Sequence, residues 1–290
     1  MKVLKKTKRY LIYCLVVFLI DIFRKISFKK SYKVAEILSK IFLIAASREK
    51  SIMSLNLAYL NKNIDEKKLF NSILKNLSFN FVEFIKFAFL PFSMVKNNVE
   101  VEGEEFLKQA YKKGKGVILL TAHIGNWEFL GTYFGKKGYP LNAIYRKPGS
   151  ELYDKIIRKI RRLNRVKLIE NRNAVGDGFK AIRKGEILII LADQKSQDES
   201  VKIDFLGKEA PTPKGPAIFG IKTGAEILTA FVIRKKGGFV IKIKNLDYDK
   251  DGKIKEKINS ILINMNKAYS DIIRKYPSQW VWFHDRWGIF

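Results

Sequence analysis

A histidine and a carboxylate stand five residues apart in the stretch Thr121-Ala122-His123-Ile124-Gly125-Asn126-Trp127-Glu128. At about 100° per residue, positions five apart do not share a helix face, so His123 and Glu128 converge only if the chain bends between them. Gly125 supplies a bend. Asn126 is a residue type favoured at helix N-caps, and the helical pattern of residues 127–137 stops at Gly138. Residues 116–122 (GVILLTA) form a short apolar run of the kind seen in strands covered on both faces. The spacing therefore predicts His123 on a loop at a strand's carboxyl end and Glu128 in the first turn of the helix. A carboxylate that accepts one ring N–H fixes the imidazole tautomer and frees the other nitrogen to take a proton, which makes a general base. Spacing alone equally admits a His and a Glu each satisfied by nearby backbone. Placement at a strand's carboxyl end, where open α/β sheets bind ligands, favours the functional reading. The helix-start N–H groups from Gly125 and Asn126 to Glu128 are candidate donors to a developing oxyanion or a bound substrate.

Two more charged residues stand at strand ends. Residues 141–145 and 187–192 read as strands, with Arg146 just past the first and Asp193 just past the second. A guanidinium at that place can grip a phosphate with two parallel hydrogen bonds. For Asp193 two roles are open: direct substrate contact, or holding a basic neighbour in position. Residues 146–172 carry ten basic and three acidic side chains, a local charge of +7, readable singly as a solvated face and collectively as a cationic platform.

The elements that must position these groups alternate from residue 99 onward. Helices over 104–113, 127–137, 150–163 and 174–184 separate strands over 116–122, 141–145, 166–169 and 187–192. This order predicts an α/β sandwich with a central, largely parallel mixed sheet flanked by helices. Residues 203–207 read as a short strand, 211–213 as a stiff Pro-Thr-Pro turn into a helix near Gly215, and 226–234 with 239–244 as an antiparallel hairpin at the sheet's edge. A long helix spans 254–276, with Ile254, Ile258, Ile261, Leu262, Met265, Tyr269, Ile272 and Ile273 on its core face. Residues 31–46 and 69–95 are apolar at helical spacing, the second with a broad face better suited to a core, and Pro91 breaks it. No Walker sequence or GxGxxG follows any strand, which leaves nucleotide-driven chemistry unsupported.

Residues 10–23 are an apolar run interrupted only by Asp21, behind a basic cap of Lys2, Lys5, Lys6, Lys8 and Arg9. Fourteen helical residues cover roughly 21 Å, short of the roughly 30 Å hydrocarbon core, so a crossing and an interfacial anchor are both open. The organisation read from the chain is an N-terminal hydrophobic helix as anchor over 1–24 and one domain over 25–290, helical to 98 and α/β from 99. The net charge of +28 implies an anionic partner: nucleic acid, an acidic protein or an anionic membrane. Long charge runs, RNP-like aromatics and a helix-turn-helix pattern are absent from the sequence, which argues against nucleic acid. One Cys excludes an internal disulfide, and two His residues 161 positions apart give no metal-site pattern.

HIGNWE resembles the HxxxxD/E signature of the glycerolipid acyltransferase superfamily. Its Gly-Asn-Trp interior is similar to the bacterial lipid A biosynthesis acyltransferases, the family of the lauroyl and myristoyl transferases. Further blocks agree in order: Tyr145-Arg146, Leu191-Ala192-Asp193-Gln194, residues 201–207 (VKIDFLG), Ala210-Pro211-Thr212, Gly215, Thr223-Gly224-Ala225 and residues 277–286 (PSQWVWFHDR). The tail departs from the family, with Asp285-Arg286 where a basic pair is expected after His284. The resemblance implies a glycerolipid acyltransferase-like fold and a membrane-anchored enzyme on the cytoplasmic face of the inner membrane. It implies acyl carrier protein as donor, a phosphorylated glycolipid as acceptor, and neither metal nor cofactor. His123 would be the base and Glu128 its orienting carboxylate, with Arg146, Asp193, Gly125 and Asn126 around the substrate. No Ser or Cys adjoins His123 in sequence to carry the acyl group, so direct transfer is the simpler route. A mannosylated phosphoinositide is the alternative acceptor, and a non-enzymatic basic membrane-binding protein the alternative class.

Overall fold

A computed structural model describes residues 2–60, 63–195 and 200–289, without side chains for 2–6, 8, 9 and 12, so the basic cap lies outside the described side chains. Five helices come first: α1 (Lys2–Lys25), α2 (Phe28–Ala45), α3 (Ser47–Tyr59), α4 (Glu66–Ala88) and the short α5 (Phe92–Lys96). The α/β part then runs β1 (Val99–Glu102), α6 (Glu104–Lys112), β2 (Val117–Thr121), α7 (Trp127–Lys137), β3 (Leu141–Tyr145), α8 (Glu151–Leu163), β4 (Val166–Glu170), α9 (Ala174–Arg183) and β5 (Ile187–Leu191). It closes with β6 (Ser200–Phe205), β7 (Lys208–Pro213), α10 (Gly215–Thr223), β8 (Glu226–Lys235), β9 (Gly238–Asn245) and α11 (Ile254–Lys275).

Seven strands form one sheet in the order β1-β9-β8-β2-β5-β3-β4, every pairing parallel except β8 with β9. Period-two alternation splits the central strand β2 between both faces. Ile118 and Leu120 join the core built with α10 and α11, while Val117 and Leu119 join the one built with α6 and α7. A third cluster, containing Phe23, Ala35, Val82, Ile85 and Ile160, ties α1, α2 and α4 to α8. The broad apolar face of α4 is thus core, with Leu69, Phe70, Ile73, Val82, Ile85 and Phe87 all buried.

Three local expectations are corrected. The β8–β9 hairpin is not the sheet's edge, because β1 pairs outside β9, and its Glu100 and Glu102 meet Lys235 and Lys242. A short strand with outward charges suits an edge, since it discourages further pairing. Pro211-Thr212-Pro213 is the end of strand β7 rather than a turn; a two-stranded hairpin is all edge, so the missing proline N–H groups cost it little. Ile254, the first residue of α11, is exposed, and the buried face of that helix runs from Ile261 to Ile273. Helix α3 is an addition, tied to the C-terminal tail by Asn56 Nδ2, which donates to the carbonyls of Trp282 and His284 at 2.9 Å each.

Candidate active site

Strands β2 and β5 are adjacent and parallel, with Thr121 paired to Leu191. His123 and Asp193 each lie two residues beyond that last pair, so the register itself brings them together. The ring Nδ1 of His123 is 2.9 Å from Asp193 Oδ1, and the His123 main-chain N–H donates to Asp193 Oδ2 at 2.9 Å. Trp280 Nε1 donates to the same Oδ2 at 2.8 Å. Asp193 is fully buried while the His123 side chain keeps 26% of its surface exposed, so the pair has a dry end and an open end. Burial pushes the Asp193 carboxyl up, but the His123 charge, the ring and Trp280 hydrogen bonds and the His123 N–H outweigh it and hold it below the usual carboxylate range. With Asp193 ionised, Nδ1–H donates to it, and the neutral ring then carries its lone pair on Nε2.

The ring partner is therefore Asp193 and not Glu128. The Glu128 carboxylate is taken by a two-pronged fork from Arg161, Nη2 to Oε1 at 2.6 Å and Nε to Oε2 at 3.2 Å. Arg161 loses charge stability by burial, but the Glu128 charge and hydrogen bond overcome this and raise its pKa above the ordinary arginine value. The reason for the correction is geometric: β5 supplies a carboxylate level with the imidazole, whereas Glu128 in the first turn of α7 meets α8. Trp127, between them in sequence, packs edge-on to the His123 ring with centroids 5.2 Å apart.

Gly125 and Asn126 are both held inside the protein by hydrogen bonds. Gly125 is buried at φ +57°, its N–H donates to the Gln279 carbonyl at 2.9 Å, and its carbonyl accepts from Asn80 Nδ2 at 2.5 Å. Asn126 is 1% exposed; its Oδ1 caps α7 by accepting from Phe129 N at 3.1 Å, its Nδ2 donates to Glu83 at 2.7 Å, and its own N–H goes to the Val232 carbonyl. Both residues shape the loop, and their N–H groups are committed within the protein. Asp193, likewise, has no surface to offer a substrate. Arg146 lies exposed just past the end of β3, as its place in the sequence predicts.

Behind Asp193 sits a second buried polar group. Arg286 has no exposed surface; it donates to the Pro211 carbonyl and, at 3.0 Å, to Thr212 Oγ1, and its guanidinium lies 4.4 Å over the Phe205 ring. Burial pulls its pKa down to about 10, against the opposing charges of Asp193 and Tyr269. It holds the β6–β7 hairpin to the tail. Burial also lowers the pKa of His284, whose carbonyl is one of the Asn56 acceptors.

Spacing does not single out Arg161, Trp280 or Glu83. For Arg161 the signal available was its place in a helix crossing near the His-x-x-x-x-Glu loop, and the sequence does not encode that crossing. For the His123–Asp193 pair the signal was present: two strands of one kind, each followed two residues later by a group that titrates.

A family model described as bacterial lipid A biosynthesis acyltransferase matches residues 1–288. A lipid A biosynthesis palmitoleoyltransferase of Escherichia coli is 26% identical over 238 residues, covering 80% of this chain and 76% of that protein. A lipid A biosynthesis acyltransferase of Haemophilus influenzae is 24% identical over 194 residues, 63% of this chain and 57% of the relative. A phosphatidylinositol mannoside acyltransferase of Mycolicibacterium smegmatis is 21% identical over 200 residues, 63% of this chain and 60% of its own.

Proposed function

Because this chain belongs to the bacterial lipid A biosynthesis acyltransferase family, we propose that it moves a fatty acyl chain from the thioester of acyl carrier protein to a hydroxyl of a lipid A precursor, with His123 as general base. The observation that carries the reading is the partly exposed imidazole whose Nδ1 is held by a fully buried carboxylate. Nε2 takes the acceptor hydroxyl's proton as that oxygen attacks the thioester carbonyl. The new C–O bond forms, the C–S bond breaks, and the imidazolium returns the proton to the departing thiolate. Asp193 fixes the ring and offsets its transient charge. The one cysteine, Cys14, lies exposed on α1, which agrees with direct transfer.

Glu128, braced by Arg161 in the turn that follows the loop, keeps a proposed part in catalysis as the group that orients the acceptor. With the N–H groups of Gly125 and Asn126 committed, those of Trp127 and Glu128 are the first-turn donors proposed for the oxyanion. Arg146 is assigned to an anionic group of donor or acceptor. Acyl carrier protein and a phosphorylated glycolipid are both acidic, and a net charge of +28 complements either. No cofactor enters this scheme.

The same reading sets the protein on the cytoplasmic face of the inner membrane. No described helix is long and apolar enough to cross a membrane. Tyr10, Leu11, Leu15 and Phe18 of α1 and Ile37, Ile41, Phe42 and Ile44 of α2 are nonetheless exposed, with Lys25, Lys29, Lys30, Lys33 and Lys40 among them. Exposed apolar side chains interspersed with lysines suit helices lying in the interface of an anionic bilayer. A mannosylated phosphoinositide is the second acceptor class, favoured by the mycobacterial relative. The test is mass spectrometry of lipid products when purified protein is given acyl carrier protein loaded with a fatty acid and either acceptor. Acylation of the lipid A precursor is expected; acylation of the mannoside alone would move the assignment to that class, and no ester from either would end it.

A further inference from the structure

Glu83 has no exposed surface in the last third of α4, and the charge that meets it comes from Arg234 near the end of β8. Both terminal nitrogens of Arg234 bond the Glu83 carboxylate, Nη2 to Oε2 at 2.7 Å, and Nη2 also reaches Asn80 Oδ1 at 2.7 Å. The guanidinium lies over the rings of Phe79 and Phe239, 5.4 and 5.2 Å from their centroids. Tyr32 donates to Glu83 Oε1 at 2.6 Å. A buried ion pair of this kind rarely stabilises a fold more than apolar side chains of the same volume would. What it does fix is geometry, and its bonds converge on one loop.

Glu83 Oε2 accepts from Asn126 Nδ2 at 2.7 Å, and Asn80, held by Arg234, donates to the Gly125 carbonyl at 2.5 Å. On the other side, the Gln279 side chain bonds the Arg234 main chain twice, N to Oε1 at 2.9 Å and Nε2 to O at 3.1 Å, while its carbonyl accepts the Gly125 N–H. The Val281 N–H then donates to the His123 carbonyl. The two residues that follow His123 and Ile124 are thus gripped from α4, β8 and the tail at once. We infer that Glu83, Arg234 and Asn80 are positioning residues for acyl transfer: through Gly125 and Asn126 they set where the His123 main chain leaves β2, and with it the ring's alignment on Asp193. The inference rests on the reading of His123 as general base. Its reach is kinetic, because a displacement of about an ångström at a reacting group can cost about a hundredfold in rate.

The experiment separates alignment from folding with two variants assayed beside His123→Ala, using the full chain, acyl-loaded carrier protein and the acceptor found active. Asn126→Ser keeps an oxygen to cap α7 but has no amide to reach Glu83. The double change Glu83→Leu with Arg234→Met removes both charges together, so that neither is left buried alone. Both are expected to lose some stability yet stay folded at the assay temperature, while kcat on the folded fraction falls about tenfold or more and KM for each substrate stays within about twofold. Wild-type kcat on the folded fraction of either variant overturns the inference and leaves the pair a packing feature. Wild-type turnover in His123→Ala is a separate result, which overturns the general-base reading and this inference with it.

Discussion

A carboxylate with no exposed surface keeps its charge only where donors converge on it, and Asp193 receives three, from the His123 ring, the His123 N–H and Trp280. Its folded-state pKa is depressed, so the stability it contributes is fully present above the unfolded value of about 3.9 and is lost as pH falls through the lower folded one. Asp193→Asn is expected to flatten that acid limb in denaturant midpoints taken against pH. It is also expected to cut kcat by about 10² to 10⁴, because an amide cannot hold the same tautomer. Glu128→Gln should be milder than Asp193→Asn and milder than Glu128→Ala, since a neutral amide still accepts from Arg161; the reverse order would return the orienting role to Glu128. The histidine and its surroundings were legible because a titrating group at a strand's carboxyl end is a local feature. Which carboxylate meets the ring was not, because that depends on β2 and β5 being neighbours, a pairing across 70 residues of chain.

The element on which the site depends is the loop between β2 and α7. A Cβ on Gly125 would lie 1.8 Å from the Val232 carbonyl oxygen, at a φ of +57° that L side chains rarely adopt. Gly125→Ala is therefore expected to destabilise the protein by about 1–3 kcal/mol from backbone strain, with the overlap added, and to lower activity more than stability. Thermal melts beside turnover on the folded fraction check this; a wild-type melt and rate would mean the loop is free to move. Helix and strand bounds were readable here because Asn126 and Gly138 mark both ends of α7 and β2 is one unbroken apolar run. The outer pairing of β1 with β9 was not readable, since it joins Val99 to Phe239 and leaves no local pattern. Nor was α3, where only Met53, Asn56 and Leu57 are buried and the apolar spacing is thin.

For the whole molecule, charge and apolar exposure make different demands on membrane binding. A purely electrostatic tether is stripped as the screening length shrinks to about 3 Å at 1 M salt, whereas apolar side chains inserted in the interface hold on. Flotation with anionic liposomes is expected to leave the protein bound in high salt, and Leu15→Lys with Phe18→Lys to make that binding salt-sensitive. Complete release of the wild type by salt without detergent would remove α1 from the interface.

Single-turnover acyl transfer from carrier protein to acceptor, by wild type and His123→Ala each shown to be folded, isolates the general-base role of His123. A rate lower by about 10² to 10⁴ in the variant, with donor binding retained, is the expected result. Transfer by His123→Ala at close to the wild-type rate would contradict it.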